Sequence, residues 1–399
     1  MKITDVRVRE VSIPRIYDTY TAEPGKSAPP DPSRSRYQVI ELQTDDGHTG
    51  LGEISDIAKR MDPPSPSQTR DLFAEAMLGQ DIDRWRAMYS RVGELLPADC
   101  HPELRNLTLF GAEIALLDLV GKRYGTPVYE LLGGRCRERV EVCWVAFLRG
   151  EVSVQEELDA LETEVREKLS QGFGAFKFKV GTDHERDLER IRLFRSIAGP
   201  DTYLRVDASG VWEEAEAIAK ITQMAAAGIN GCETPTVAVN RGIANDHPER
   251  IEANADEAAR SLARVRGEVS VDIIEHVADL GDVLCAALAA HRAVDVINVI
   301  PSQGGGLLRA QRLVHTAQTA GIPALLGSTI ELGPGTAAFL HLAVASPNIS
   351  VSSDLVSPGL LVDDVCTEPF RYEDGFLRPG DAPGLGVQLD EAKMEKWAV

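Results

Sequence analysis

An α/β chain built around a (β/α)8 barrel is what the sequence predicts, on three observations. From Val140 onward, short apolar runs alternate with helical periodicity, unit after unit. In one run, Phe176-Lys177-Phe178-Lys179-Val180, two lysines stand at alternate positions, so both ammonium groups point to one face of a strand. Three later runs each end in an acid: Asp207 closes Tyr203-Leu204-Arg205-Val206, Glu233 closes Ile229 to Cys232, and Glu275 closes Val269 to Ile274. Acids at strand ends beside two lysines are the pattern of a barrel whose carboxyl-end rim carries a metal site.

The elements follow in order. Residues 1–134 mix strands and helices. Ile3 to Val11 alternates, Tyr37 to Gln43 is a second strand, and the turn Asp45 to Gly50 returns the chain into Leu51-Gly52-Glu53-Ile54 as a hairpin. Tyr17 to Arg34 and Ile57 to Ser67 are prolyl loops, able to cover a pocket of a neighbouring domain. Leu109 to Tyr124 is helical until Gly125-Thr126-Pro127 stops it. The barrel occupies residues 135–365. Its strands are read at Glu141–Phe147, Ala175–Val180, Tyr203–Asp207, Ile229–Glu233, Val269–Glu275, Val294–Ile300, Ile322–Leu326 and Ile349–Ser353, with helices between them. Ser153 and Glu156 form a capping box at the start of the helix Val154–Ser170. The spacing from Glu233 to Glu275 exceeds one unit, and the excess falls in the polar stretch Thr236 to Glu249. Residues 366–399, rich in Gly and Pro, read as irregular chain packing back on the first domain.

Composition excludes several classes. The formal charge of −20 argues against nucleic acid and anionic membrane as partners. No long apolar run suits a membrane span, and the charged start Met1-Lys2-Ile3-Thr4-Asp5 is unlike a signal peptide. The six dispersed cysteines fit neither a metal knuckle nor a disulfide framework, so a reduced, cytoplasmic setting is expected.

Three carboxylates on adjacent strand ends repel each other unless a hard cation relieves them, and all-oxygen ligation suits Mg2+. Asp207, Glu233 and Glu275 are the expected ligands. Asp256 and Glu257 compete for the third place but lie in a strongly helical run, and Asp272 is offset from Glu275 by an odd number. A lysine near a cation and a second lysine has a lowered pKa and can take a proton from carbon. Lys179 is read as that base, with Lys177 binding or neutralising a substrate carboxylate whose enediolate the cation would stabilise.

The chain resembles the enolase superfamily, in particular its mandelate racemase and muconate lactonizing enzyme branch. The resemblance runs through Gly111 to Lys122, Gly125 to Gly134, Lys177-Phe178-Lys179, Val206-Asp207-Ala208, Cys232-Glu233-Thr234-Pro235, Ile274-Glu275-His276, Gly304-Gly305-Gly306 and Pro383 to Val387. It implies an α/β fold of modified (β/α)8 TIM-type barrel with an N-terminal α+β capping domain, bound Mg2+, abstraction of the proton next to a carboxylate, a small-molecule carboxylate substrate, and a homo-oligomer of two to eight copies.

The departures bear on the reaction. Relatives end the strand before the glycine turn in a lysine or aspartate facing the lysine pair. Here that position is Ile300, which cannot move a proton, and Asn298 on the same face is polar but does not titrate. The racemase branch carries a histidine on the next strand. Ile322 to Thr329 has none, and Thr329-Ile330-Glu331 is more like the lactonizing branch. His276 and His48 stay as possible acids, with His276 expected to point away from the site. Tyr17, Tyr20 and Lys59 could select substrate from the cap loops, Asn298 could contact it, and Glu331 could contact it or order a lysine. A single base favours dehydration or cycloisomerisation, a lyase or isomerase. A racemase or epimerase, and a non-catalytic barrel homologue, stay open as alternatives.

Overall fold

The computed structural model describes residues 1–22, 33–57, 61–150, 152–237, 248–277 and 281–399, with the backbone alone for 248–253. Parts of the stretches Tyr17–Arg34, Ile57–Ser67 and Thr236–Glu249, and Lys59 altogether, therefore lie outside the described residues.

β1 (Ile3–Pro14) and β2 (Arg34–Thr44) pair antiparallel from Ile3 opposite Thr44 to Pro14 opposite Arg34. β3 (Thr49–Ile54) returns beside β2, and His48 sits in the exposed turn between them. Helices α1 (Pro66–Met77), α2 (Trp85–Leu95) and α3 (Pro102–Tyr124) follow. α1 opens on a capping box of Ser65 and Gln68, which satisfies two otherwise orphaned N–H groups. α3 is apolar almost all round, and its residues Phe110 to Gly121 are all buried. It packs against β3 on one side and against the barrel helices on the other. Gly125, in the left-handed conformation, ends it before α4 (Val128–Leu131).

β4 (Val140–Glu141) precedes the barrel strand β5 (Cys143–Ala146). The units then run α5 (Val154–Ser170), β6 (Ala175–Lys179), α6 (His184–Ala198), β7 (Tyr203–Asp207), α7 (Glu214–Ala227) and β8 (Gly231–Glu233). After them come α8 (Pro248–Glu268), β9 (Asp272–His276), α9 (Gly281–His291), β10 (Val296–Val299), α10 (Leu307–Thr319), β11 (Ala324–Leu326) and α11 (Gly333–Ala345). β5 to β11 form one parallel sheet in chain order, the arrangement that right-handed strand–helix–strand crossovers generate. α12 (Ser357–Leu360), β12 (Phe376–Leu377) and α13 (Glu391–Lys396) complete the chain.

Two strand expectations are corrected. The run Glu141–Phe147 splits: β4 pairs antiparallel with β12, and the barrel strand starts only at Cys143. The eighth strand, expected at Ile349–Ser353, is reduced to single bridges, Ile349 to Ala324 on one side and Ser353 to Val142 on the other. The ladder breaks there because the N–H groups of Ser350 and Val351 both donate to the carbonyl of Ala324. The segment still closes the barrel, with Cys143 N donating to Ser353 O at 2.8 Å and Asp354 N to Leu326 O at 2.7 Å.

Alternation sorts the strand side chains. Phe176 and Phe178 leave the barrel to meet Phe194 of α6 edge-on, with ring centroids 5.0 and 5.4 Å apart. Inside, Ile274, Val296 and Leu325 form their own apolar cluster with Val351. The C-terminal segment is tied down through Asp118 of α3, whose buried carboxylate accepts from Leu51 N and Leu385 N, each at 2.8 Å. Among the described residues no helix is long and apolar enough to cross a membrane.

Candidate active site

The two lysines of β6 face the interior, as period 2 requires, but meet different surroundings. Lys177 is 4% exposed. Its Nζ lies 2.5 Å from Asp354, 3.1 Å from Glu233 and 3.4 Å from Asp207, so three carboxylates surround one ammonium. Burial works against its charge, but those acids outweigh burial and hold Lys177 protonated far above the usual lysine range. Lys179 is closer to the mouth, with its side chain 16% exposed and Nζ 2.6 Å from Asp207 Oδ2.

Strand register sets the acids. Lys179 lies opposite Asp207, and Asp207 opposite Glu233, so the three form one row across β6, β7 and β8. Burial pushes the Asp207 carboxyl up, but Lys179 and Lys177 overcome it and hold the group well below the usual carboxylate range. Glu233 Oε1 accepts from Asn298 Nδ2 of β10 at 2.7 Å. Each strand end turns sharply. Ser209 (φ +52°) follows Asp207 by two residues, and Thr234 (φ +41°) follows Glu233 directly. A left-handed β-branched residue is strained, and Thr234 uses the turn to donate Oγ1 to Glu275 Oε1 at 3.0 Å.

Glu275 is fully buried. Its Oε1 also accepts from His276 N at 2.9 Å, while Oε2 has no partner among the described residues. Burial raises its carboxyl well above the ordinary value, and the negative charges of Glu233 and Asp207 raise it further. The rivals lie elsewhere. Asp256 pairs with Arg260 and His291 on the outer helices, and Asp272 is exposed at the opposite end of β9.

Among the described residues, no three His, Cys, Asp or Glu side chains stand in a ready-made metal cage. Asp207 and Glu233 are engaged by ammonium groups. Asp207 and Glu233 offer carboxylate oxygens that suit a hard cation, but the third expected ligand is displaced: the row that runs from Asp207 to Glu233 continues to Ile274, so Glu275 leaves β9 on the other face, its Oε2 unpartnered among the described residues. Three carboxylates here (Asp207, Glu233, Asp354) face three cationic side chains (Lys177, Lys179, Arg205), and Glu275, on the other face of β9, meets no cation among the described residues.

Asp354 and Arg205 were not anticipated. Arg205 of β7 is wholly buried and pairs with Asp354, which also holds Lys177. Both carried a signal. Arg205 is two positions from Asp207, hence on its face, and Asp354 ends the last barrel segment as the other acids end theirs.

His276 does not point away. It lies opposite Asn298 and two residues beyond Ile274, whose side chain is inside the barrel, so its face is inward. Its Nε2 is buried and has no hydrogen-bond partner among the described residues. Ile300 packs on the strand end of β11, where a methyl at Gly327 would lie 2.6 Å from Ile300 Cγ1. Tyr17 donates its hydroxyl to Glu164 of α5 at 2.8 Å, and Tyr20 pairs with Leu148 through two backbone bonds of 3.2 Å. These contacts seat the cap strand on the first barrel loop. The Glu331 carboxylate accepts from Ser302 (3.0 Å), Ser328 (2.6 Å), and the hydroxyl (2.5 Å) and N–H (2.8 Å) of Thr329.

Comparison with known proteins matches this architecture in both parts. Residues 11–133 match the mandelate racemase / muconate lactonizing enzyme N-terminal domain, and residues 160–393 match the enolase C-terminal domain-like family. The chain belongs to this family. It is therefore an enolase-superfamily enzyme, with a capping domain on a modified TIM barrel. Muconate cycloisomerase 1-1 of Acinetobacter lwoffii is 29% identical over 365 residues, 90% of this chain and 88% of that one. N-succinyl-L-Arg/Lys racemase of Bacillus cereus is 24% identical over 372 residues, 90% of each. The solved muconate lactonizing enzyme of Pseudomonas fluorescens, complexed with muconolactone, has a TM-score of 0.80 and 26% identity, covering 100% of this chain and 99% of that one.

Proposed function

We propose that this enzyme is a cycloisomerase of an organic acid that uses Lys179 as its single base on carbon. The observation that carries the reading is the asymmetry of the barrel mouth. Lys179 is the more accessible of the two lysines, while Ile300 and Asn298 occupy the wall where a second base would stand. Lys177 has its contacts taken by Asp354, Glu233 and Asp207, which supports a fixed electrostatic role for it. Glu331, satisfied inside its own loop, is read as ordering that loop rather than touching substrate.

Asp207 and Glu233 would hold a divalent cation, read as Mg2+, which when bound would stabilise negative charge on the substrate carboxylate; Glu275, expected from the sequence as the third ligand, lies on the other face of β9. On a lactone such as muconolactone, Lys179 takes the proton from the carbon next to the free carboxylate. The electron pair left behind expels the ring oxygen as the C–O bond breaks, leaving a second carboxylate and a new C=C bond. The reverse steps close the ring, with protonated Lys179 returning the proton. No group on the far wall is required. Two-base racemisation is disfavoured because Ile300 cannot accept or deliver a proton, and simple dehydration ranks behind because the relatives above are cycloisomerases and a racemase.

The test is incubation of muconolactone in D2O with MgCl2, followed by mass spectrometry and NMR. Deuterium should enter at the carbon next to the carboxylate with the wild type and not with Lys179→Met. Exchange by Lys179→Met at the wild-type rate sinks the assignment of the base. Racemisation of N-succinyl-arginine without any exchange into lactones sinks the one-base reading.

A further inference from the structure

The wall opposite the lysines is built jointly by barrel and cap. It comprises the segment after β10, from Ile300 to Gly306, and the segment after β11, from Gly327 to Leu332. At each the capping domain supplies a partner. Tyr89 of α2 donates its hydroxyl to Gly305 O at 2.7 Å. Glu113 of α3 accepts the N–H groups of Leu307 and Leu308 at the start of α10. Glu53 of β3 accepts Leu332 N and Gly335 N, each at 2.9 Å, at the start of α11. Tyr37 of β2, fully buried, donates its hydroxyl to Ile330 O at 2.6 Å.

Ile330 is the unusual member. Its φ is +61°, left-handed, where a β-branched side chain is a strained outlier that surrounding contacts must hold in place. Those contacts are Tyr37 on its carbonyl and Ser328 Oγ on its N–H, at 2.9 Å. The next residue, Glu331, gathers Ser302, Ser328 and Thr329 and so ties the two wall segments together. The residue after that, Leu332, is fixed by Glu53. The approach of Glu53 leaves no room at Gly335, where a methyl would fall 2.7 Å from Glu53 Oε1.

We infer that Tyr37 and Glu53 are positioning residues for the reaction: from the capping domain they hold the strained Ile330 turn, and through it Glu331 and the far wall. This rests on the proposed function for its kinetic consequence, but not for its structural one. Without the Tyr37 hydroxyl, Ile330 relaxes toward negative φ and draws Glu331 out of place. Glycine at position 330 accepts positive φ at no steric cost, so it should hold the turn without the tether.

The experiment compares wild type, Tyr37→Phe, Glu53→Gln, Ile330→Gly and the double variant Tyr37→Phe/Ile330→Gly. Two readouts are used: amide hydrogen exchange of peptides covering 327–336, and MgCl2-dependent deuterium incorporation into muconolactone. Tyr37→Phe should speed amide exchange in 327–336 by about tenfold, the effect of one lost hydrogen bond, while leaving peptides of β6 and β7 unchanged. It should lower kcat for incorporation by about tenfold with KM within about twofold, and Ile330→Gly in that background should recover kcat to within about threefold of wild type. Glu53→Gln should act in the same direction as Tyr37→Phe. A Tyr37→Phe protein whose 327–336 amides exchange at the wild-type rate overturns the inference. So does loosening spread evenly over the barrel, or a kcat loss that Ile330→Gly leaves untouched. If the wild type incorporates no deuterium into muconolactone, the functional reading fails, and amide exchange alone decides the positioning claim.

Discussion

Replacing each lysine of β6 by methionine should separate stability from chemistry. Lys177 is buried against carboxylates at 2.5, 3.1 and 3.4 Å. At an effective dielectric of about 20, one such contact near 3 Å has a gross Coulomb energy of about 5 kcal/mol, most of it offset by desolvation. Removing one partner of a buried ion cluster leaves the others uncompensated, and the net cost is typically about 3–5 kcal/mol. Of the carboxylates left behind, Asp354 keeps Arg205 and Asp207 keeps Lys179, but among the described residues Glu233 keeps only the neutral amide of Asn298. Lys179 is partly exposed and meets one carboxylate that Lys177 also faces, so its loss should cost about 1–2 kcal/mol. Deuterium incorporation should respond in the opposite order, with Lys179→Met falling by roughly 10²–10⁴ as expected for a lost general base. Urea denaturation in EDTA at pH 8 gives the stabilities, free of metal linkage. Equal destabilisation of the two variants, to within about 0.5 kcal/mol, would refute the electrostatic assignment, as would Lys179→Met retaining more than about a tenth of wild-type incorporation.

Glu275→Gln tests the placement of Glu275 outside the metal site. A carboxyl raised by burial and like charge is neutral in both states at low pH, and its penalty appears as pH rises through the raised folded value. The metal-free variant should therefore be more stable than wild type at pH 8, and MgCl2 should still raise its melting temperature, because Glu275 lies off the interior face; loss of the magnesium shift counts against that register and for Glu275 as a ligand. Glu113, whose carboxyl burial pushes up to about 7, has the same sign. Its share of wild-type stability is complete below the ordinary glutamate value and declines as pH rises through about 7, so Glu113→Gln should flatten that decline, by no more than ~3 kcal/mol, in urea melts from pH 4.5 to 8.5.

Much of the fold was legible because each unit declares itself locally. The Ser153–Glu156 capping box starts α5 at the residue expected, and the strand Tyr203–Asp207 and the helix Val154–Ser170 have the bounds read from periodicity. Strand ends were read too long where apolar side chains continue after pairing stops, as at Val294 and Ile300 on either side of β10. The eighth strand was over-read because alternation at Ile349 to Ser353 does not reveal that two N–H groups share one carbonyl. The site divides in the same way. Residues placed by parity on one strand, such as Lys177 and Lys179, could be read directly. Asp354 and Arg205 escaped because their significance lies in a contact across the barrel, 149 positions apart in sequence. His276 was misplaced because parity was counted from Glu275, whereas Ile274 is the residue that faces the interior.

The two halves of the mouth are stabilised by different means, and this bears on how such an enzyme can change substrate. The half bearing the lysines and acids is held by ion pairs among barrel residues, Lys177, Arg205, Asp207, Glu233 and Asp354, with no partner from the cap in that set. Disturbing any member costs folding energy, so that half resists change. The far wall is held by neutral and helix-terminal hydrogen bonds from Tyr37, Glu53, Tyr89 and Glu113, all on the capping domain. Each such bond is worth about 1 kcal/mol net, so they can be altered one at a time within a stable protein. On the proposed reading, the proton chemistry belongs to the barrel, while the wall that meets the rest of the substrate is shaped from the cap. Ile300 belongs to that adjustable side, and its apolar side chain removes a far-face base without touching the ion cluster across the mouth.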